Sequence, residues 1–111
     1  MNAVRIVISS MKSYGSQTLN ISSMGAAIFN EVKADGTPLR RMRIGAKPHE
    51  VSKLITMFEE ITSSSTNPMW EAEILYEDGK RKTISSSTAG PDEITEYMRD
   101  IFPADHLWGL E

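Results

Sequence analysis

Two histidines, His49 and His106, are the residues best suited to acid–base chemistry or metal binding in this sequence. His49 falls in the first turn of a predicted helix, and His106 lies beside Asp105 close to the C-terminus. Neither has a metal-ligand spacing, and nothing in the sequence fixes one near the other. Cysteine is absent, which excludes thiolate catalysis and cysteine-ligated metals. We therefore predict two solvent-exposed histidines, no metal site and no cofactor.

Serine is abundant, yet no serine lies in a Gly-x-Ser-x-Gly nucleophile elbow. The glycines are scattered, and no glycine-rich phosphate loop opens a helix. The sequence thus lacks a catalytic constellation and predicts that the chain is not an enzyme. An enzyme with a site near His49 or His106 is the least favoured of the alternatives.

The charge of the chain changes sign along its length. Net charge is −3 overall, but the residues through Phe58 carry eight basic against three acidic side chains, or +5. From Glu59 onward, four basic side chains stand against twelve acidic ones, or −8. Such asymmetry bears on partners and solubility rather than on fold.

Five glutamates in the later, acidic part are our candidate partner-binding residues. Glu71, Glu73 and Glu77 share the outer face of one predicted strand, and Glu93 and Glu96 lie on the solvent side of the last helix. Complementary charge speeds encounter and sets specificity. We therefore expect these glutamates to dock another, basic protein, although a merely solubilising surface explains them as well.

A basic segment precedes them, with Arg40, Arg41, Arg43 and Lys47. Nucleic-acid binding would require exposed aromatic side chains beside such a patch, and only Tyr14 is a candidate. The acidity of the whole chain also disfavours contacts with phosphates. The simpler interpretation is a solvated strand face, and we predict no nucleic-acid partner.

The tail, residues 103–111, contains Leu107, Trp108 and Leu110. An exposed tryptophan is unfavourable in water, so we expect the tail to pack on the core. Alternatively Trp108 inserts into a partner, where tryptophan is a favoured residue, and Trp108 therefore joins the candidate partner-binding residues.

Alternation with a period of two predicts the strands that position these side chains. Residues 69–76 place Trp70, Ala72 and Ile74 on one face and glutamates on the other. A three-residue turn with Gly79 in a bulge keeps Ile84 opposite Ala72 on the apolar face. Further strands are predicted at 3–9, 18–22, 26–33 and 39–44, with residues 9–17 as a loop.

Two apolar stripes with helical spacing follow Pro48 and Pro91, and proline is favoured in the first helical turn. The predicted order is therefore β-β-β-β-α-β-β-α. It favours an α+β fold, with a mostly antiparallel sheet and two helices packed on one face. We predict a single domain spanning residues 1–111, with 103–111 as its tail.

These observations favour a small acidic protein-binding domain, for instance an inhibitor or an immunity- or antitoxin-type protein that occludes a basic partner. The runner-up is a structural domain that pairs with a second copy through a sheet edge, giving a homodimer. The N-terminal apolar run is too short for a signal peptide, and no run approaches the length of a membrane span. We therefore expect a cytoplasmic protein without membrane contact.

Overall fold

A computed structural model describes residues 2–62, 64–88 and 90–102. Six strands and two helices follow one another along the chain: β1 (Ala3–Lys12), β2 (Gly15–Ser22), β3 (Ala26–Lys33), β4 (Pro38–Gly45), α1 (Pro48–Glu59), β5 (Trp70–Tyr76), β6 (Arg81–Ser86) and α2 (Asp92–Ile101). This order and the α+β class confirm the fold predicted from the sequence.

All six strands form one antiparallel sheet, in the order β4-β3-β2-β1-β5-β6. The first four strands form a meander of hairpins, and the β5–β6 hairpin adds to the free side of β1. β1 is thereby a central strand, which suits its β-branched residues and its completely buried Ile6 and Ile8.

Helix α1 begins at Pro48, where a missing N–H costs nothing. The side chain of Glu50 turns back and accepts a 2.8 Å hydrogen bond from the backbone N–H of Lys47. Its apolar stripe is buried against the sheet, through Val51, Leu54, Ile55 and Phe58. Capping and burial together therefore fix both the start of the helix and the side that faces the sheet.

Helix α2 packs on the same face of the sheet and against α1. Ile94 and Met98 are buried, whereas Tyr97 and Ile101 are partly buried against the core. The Tyr97 hydroxyl donates a 3.3 Å hydrogen bond to the carbonyl oxygen of Glu50, which joins the two helices.

The core lies between the helices and the sheet. Trp70 on β5 meets Phe58 on α1 edge to face, with ring centroids 6.0 Å apart. The indole N–H of Trp70 donates a 3.1 Å hydrogen bond to the carbonyl oxygen of Thr88, so its polar group is satisfied although the ring is buried.

The prediction that residues 9–17 form a loop is wrong. β1 and β2 continue through this stretch and meet at a two-residue turn, with Lys12 paired to Gly15. Polar Ser10 and Gln17 occupy buried positions on the helix-covered face, where alternation would have predicted apolar residues. The polar composition thus concealed the ends of two strands whose other residues were predicted correctly.

The β5–β6 hairpin has the predicted register. Ala72 pairs with Ile84, and the N–H of Tyr76 donates a 2.9 Å hydrogen bond to the carbonyl oxygen of Lys80. Gly79 has a φ of +87°, which glycine adopts without strain. The turn therefore keeps the apolar residues of both strands on one face.

Candidate functional site: the open face of the sheet

The helices cover one face of the sheet, and we call the other face the open face. Because side chains alternate along a strand, the residues between the core positions all point to it. On β5 these are Glu71 and Glu73, which flank the buried Ala72, and Leu75. The connector before β5 covers the β6 side of this face, where the buried hydroxyl of Ser85 accepts a 3.0 Å hydrogen bond from the N–H of Ser65.

Strand pairing aligns the open-face residues in rows across the sheet. One row contains Arg43, Ile28, Asn20, Val7, Glu73 and Thr83, from β4 to β6. The next row contains Arg41, Asn30, Thr18, Ser9, Glu71 and Ser85. A third, shorter row contains Val32, Ser16 and Met11.

The first two rows each have an arginine on β4 and a glutamate on β5, four strands away. Arg41 and Arg43 are exposed on β4, at one side of the sheet, and Glu71 and Glu73 lie on β5 near the other. With about 4.8 Å between neighbouring strands, the two pairs are about 19 Å apart. The open face therefore carries a basic strip (Arg41 and Arg43) and an acidic strip (Glu71 and Glu73).

Between the strips, the three rows contain no charged side chain and mix polar with apolar residues. Val7, Ile28 and Val32 are half-buried, and Met11 is 55% exposed. Single exposed apolar residues are ordinary, but here four share the middle of one face. A less charged centre within charged margins is also a feature of protein–protein interfaces.

Two further arginines lie on the open face. Arg81 on β6 makes an ion pair with Glu73, 3.5 Å between Nη1 and Oε1, and both groups remain partly exposed. Arg5 on β1 donates a hydrogen bond to the side-chain oxygen of Asn20. Arg5, Asn20 and Arg43 help to line a shallow depression of about 290 Å³. The face is thus not purely acidic, contrary to what the glutamates alone suggest.

The five predicted glutamates do not form one surface. Glu71 and Glu73 lie on the open face, whereas Glu93 and Glu96 are exposed on α2, in the layer that covers the opposite face. Glu77 lies in the turn between β5 and β6, and its N–H donates to the carbonyl oxygen of Asn2. The periodicity of a strand or helix predicts only which of its own residues are buried. It does not predict on which side of the sheet a helix packs.

Trp108 and His106 lie outside the described residues, as does the rest of the tail, 103–111. His49 is exposed in the first turn of α1, as predicted. Among the described residues, no group of three or more His, Cys, Asp or Glu side chains is arranged to hold a metal ion.

Of the basic segment, Arg40 differs from its neighbours. It lies on the helix-covered side of the sheet, where it contacts the ring of Phe29 and pairs with Glu31, 3.6 Å between Nη2 and Oε1. Arg41 and Arg43 point the opposite way. The sequence already placed these two on a common strand face, but it did not place them on the same face as Glu71 and Glu73.

A separate polar cluster lies at the end of the helix-covered face. Glu31 accepts hydrogen bonds from the hydroxyl of Tyr14 and from Gln17 Nε2, the latter 2.7 Å long. The bond from Gln17 is the main reason that the pKa of Glu31 is lowered, followed by the bond from Tyr14. The same carboxylate raises the pKa of Tyr14. The cluster keeps a partly buried carboxylate ionised, and every contact in it is internal to the chain.

None of the helices in residues 2–62, 64–88 and 90–102 is long and apolar enough to cross a membrane. Comparisons with protein-family models, with curated proteins and with solved structures find no match.

Proposed function

We propose that this chain is a protein-binding domain that docks its partner on the open face of the sheet. The observation that supports this most is the distribution of side chains on that face. Basic and acidic strips flank a partly apolar centre, and Arg41, Arg43 and Glu71 at its margins are exposed. Charged margins set orientation and encounter rate, while the centre supplies area that loses water on binding.

The strips define the chemistry of the partner. A basic element opposes Glu71 and Glu73, in keeping with the expectation from the sequence. A uniformly basic surface would be repelled by Arg41 and Arg43, so the partner presents acidic groups about 19 Å from the basic ones. Docking of this kind acts by occlusion, as in an inhibitor or an immunity-type protein, since it requires no reactive group on this chain.

A photo-crosslinking side chain at Thr18, in the centre of the open face, tests this proposal. The labelled chain is irradiated in an extract of the cells that produce it, with a label at Ser52 on the exposed side of α1 as the control. We expect a defined protein adduct at Thr18 that excess unlabelled chain competes away. Equal adducts at both positions would refute a specific open-face site.

Two double variants with the same change in net charge separate the acidic surfaces. Glu71→Lys with Glu73→Lys reverses the acidic strip, and Glu93→Lys with Glu96→Lys reverses the solvent side of α2. We expect the first to reduce the Thr18 adduct about tenfold or more and the second to leave it within about twofold. The opposite result would move the docking surface to α2.

A further inference from the structure

The open face is complementary to itself. Two copies can be placed with their open faces together and related by a twofold axis that runs parallel to β2, midway between the two sheets. This axis reverses the strand order β4-β3-β2-β1-β5 in the second copy. β4 of one copy then lies over β5 of the other, β3 over β1, and β2 over β2. Because the axis is parallel to the strands, the position of each row along the strands is unchanged. Each row therefore faces the same row of the second copy.

This operation brings opposite charges together. Arg43 meets Glu73 of the other copy, and Arg41 meets Glu71, since each pair already shares a row. The twofold repeats both contacts, giving four arginine–glutamate pairs. Arginine is well suited to such pairs because its planar fork matches a carboxylate.

The same operation matches the uncharged centre. Ile28 meets Val7, and Val32 meets Met11, so apolar side chains face apolar side chains. Across the axis itself, the identical residues of β2 meet: Ser16, Thr18 and Asn20. Hydroxyl and amide groups both donate and accept, and can therefore hydrogen-bond to their own copies.

The two remaining arginines differ in this arrangement: Arg81 already pairs with Glu73 and so shares that carboxylate with Arg43 of the other copy, whereas Arg5 meets no charged side chain. Arg81 is on β6, the one strand that falls outside the overlap, and Arg5 comes over the β3 end that carries Ala26. The alternative twofold axis, perpendicular to the strands, would place β4 over β4 and so Arg41 and Arg43 over themselves. Charge therefore selects the axis along β2.

We infer that the open face pairs with a second copy of this chain, as an isologous dimer of two face-to-face sheets with its axis along β2. Five overlapped strands are about 24 Å wide, and the three rows span about 20 Å, so each copy buries about 500 Å². The total of about 1,000 Å² is at the lower limit for a specific interface, which predicts a weak, reversible dimer. A reversible dimer protects the open face until the proposed heterologous partner displaces the second copy, but the dimer itself goes beyond the proposed function and does not require that partner.

Complementary charge reversals test the dimer by sedimentation equilibrium of the full chain, from low micromolar to near-millimolar concentration. Arg41→Glu with Arg43→Glu, and separately Glu71→Lys with Glu73→Lys, place like charges at all four pairs. We expect each variant to dissociate at least about tenfold more readily than the natural chain. Mixed together, the two variants regain opposite charges at every pair and should form a heterodimer of nearly natural affinity.

A second measurement does not depend on the charged residues. The chain lacks cysteine, so Thr18→Cys gives a single thiol beside the proposed axis. Facing sheets are about 10 Å apart, too far for a disulfide but within reach of a short bismaleimide. We expect efficient linkage into dimers for Thr18→Cys and little for the control Ser52→Cys.

The outcomes distinguish this inference from the proposed function. A natural chain that stays monomeric, or a dimer indifferent to all the reversals, would overturn the inference. If heterologous adducts at Thr18 persisted in either case, the proposed function would stand alone. A dimer with the expected charge dependence, without heterologous adducts, would support the inference and remove the proposed function.

Discussion

The hydroxyl of Tyr76 donates a 2.6 Å hydrogen bond to Oε2 of Glu59. Lys82 Nζ donates a 2.7 Å hydrogen bond to the main-chain carbonyl oxygen of the same glutamate. The last residue of α1 is thereby attached to both strands of the β5–β6 hairpin. The pKa of Tyr76 is raised to about 12, chiefly by burial, and the hydrogen bond to Glu59 and the charge of Glu59 supply the rest.

Replacing Glu59 with Gln should lower the pKa of Tyr76 only in part. Gln removes the negative charge, but burial, the larger cause, remains, so we expect a value between 10 and 12. NMR titration of the Tyr76 ring resonances measures this directly. A pKa that falls to 10 would show that Glu59 and not burial is the larger cause, and an unchanged pKa would show that Glu59 contributes nothing.

The raised pKa also predicts how Tyr76 affects stability at alkaline pH. Because the folded state favours the neutral phenol, its stabilising effect is complete below pH 10 and is lost as the pH rises through about 12. Urea unfolding of Tyr76→Phe and of the natural chain at a series of alkaline pH values tests this. The stability difference between them should change across that interval and be constant near neutrality.

Glu31 predicts the opposite dependence, at acid pH. Its folded-state pKa lies below the usual 4.5, so its stabilising effect is present above that value and disappears as the pH falls through the folded pKa. We expect Glu31→Gln to destabilise the chain at pH 7 and to cost less at about pH 3 in urea unfolding. Glu96→Gln on exposed α2 is the control. An equal cost of Glu31→Gln at both pH values would contradict the prediction.

Gly25 and Gly36 provide a matched test of backbone packing. Both have positive φ, +104° and +88°, which costs an alanine about 1–2 kcal/mol. A Cβ at Gly25 would lie 2.0 Å from the carbonyl oxygen of Ala46, whereas a Cβ at Gly36 meets nothing within 4 Å. We expect Gly25→Ala to cost more than twice as much as Gly36→Ala, measured by urea or thermal unfolding. Equal costs would mean that the connector at Ala46 moves aside freely.

The difference between these glycines depends on tertiary structure. The N–H of Ala46 donates a 2.9 Å hydrogen bond to the carbonyl oxygen of Gly25, which ties the start of β3 to the connector before α1. From the sequence, Gly25 and Gly36 both occupy turns between predicted strands. Only the approach of a distant segment makes one of them intolerant of a side chain.

Sequence patterns determined which alternate residues of a strand face the core. Alternation placed Trp70, Ala72 and Ile74 in the core and turned Glu71 and Glu73 outward, because successive side chains of a strand point to opposite faces. The same alternation favoured the bulged turn at Gly79. A loop one residue shorter would have placed Ile84 on the exposed face. Where polar residues occupied buried positions, at Ser10 and Gln17, the same method failed and missed the ends of β1 and β2 next to their turn.

Only the tertiary structure decided which faces became neighbours. Pairing of β5 with β1 set the strand order, and that order brought Arg41, Arg43, Glu71 and Glu73 onto one face although about 30 residues separate the two pairs. Packing of α2 on the opposite face moved Glu93 and Glu96 away from them. The physical reason is range: the direction of a side chain depends on the local backbone, whereas strand order and helix placement depend on burying the apolar surface of the whole chain.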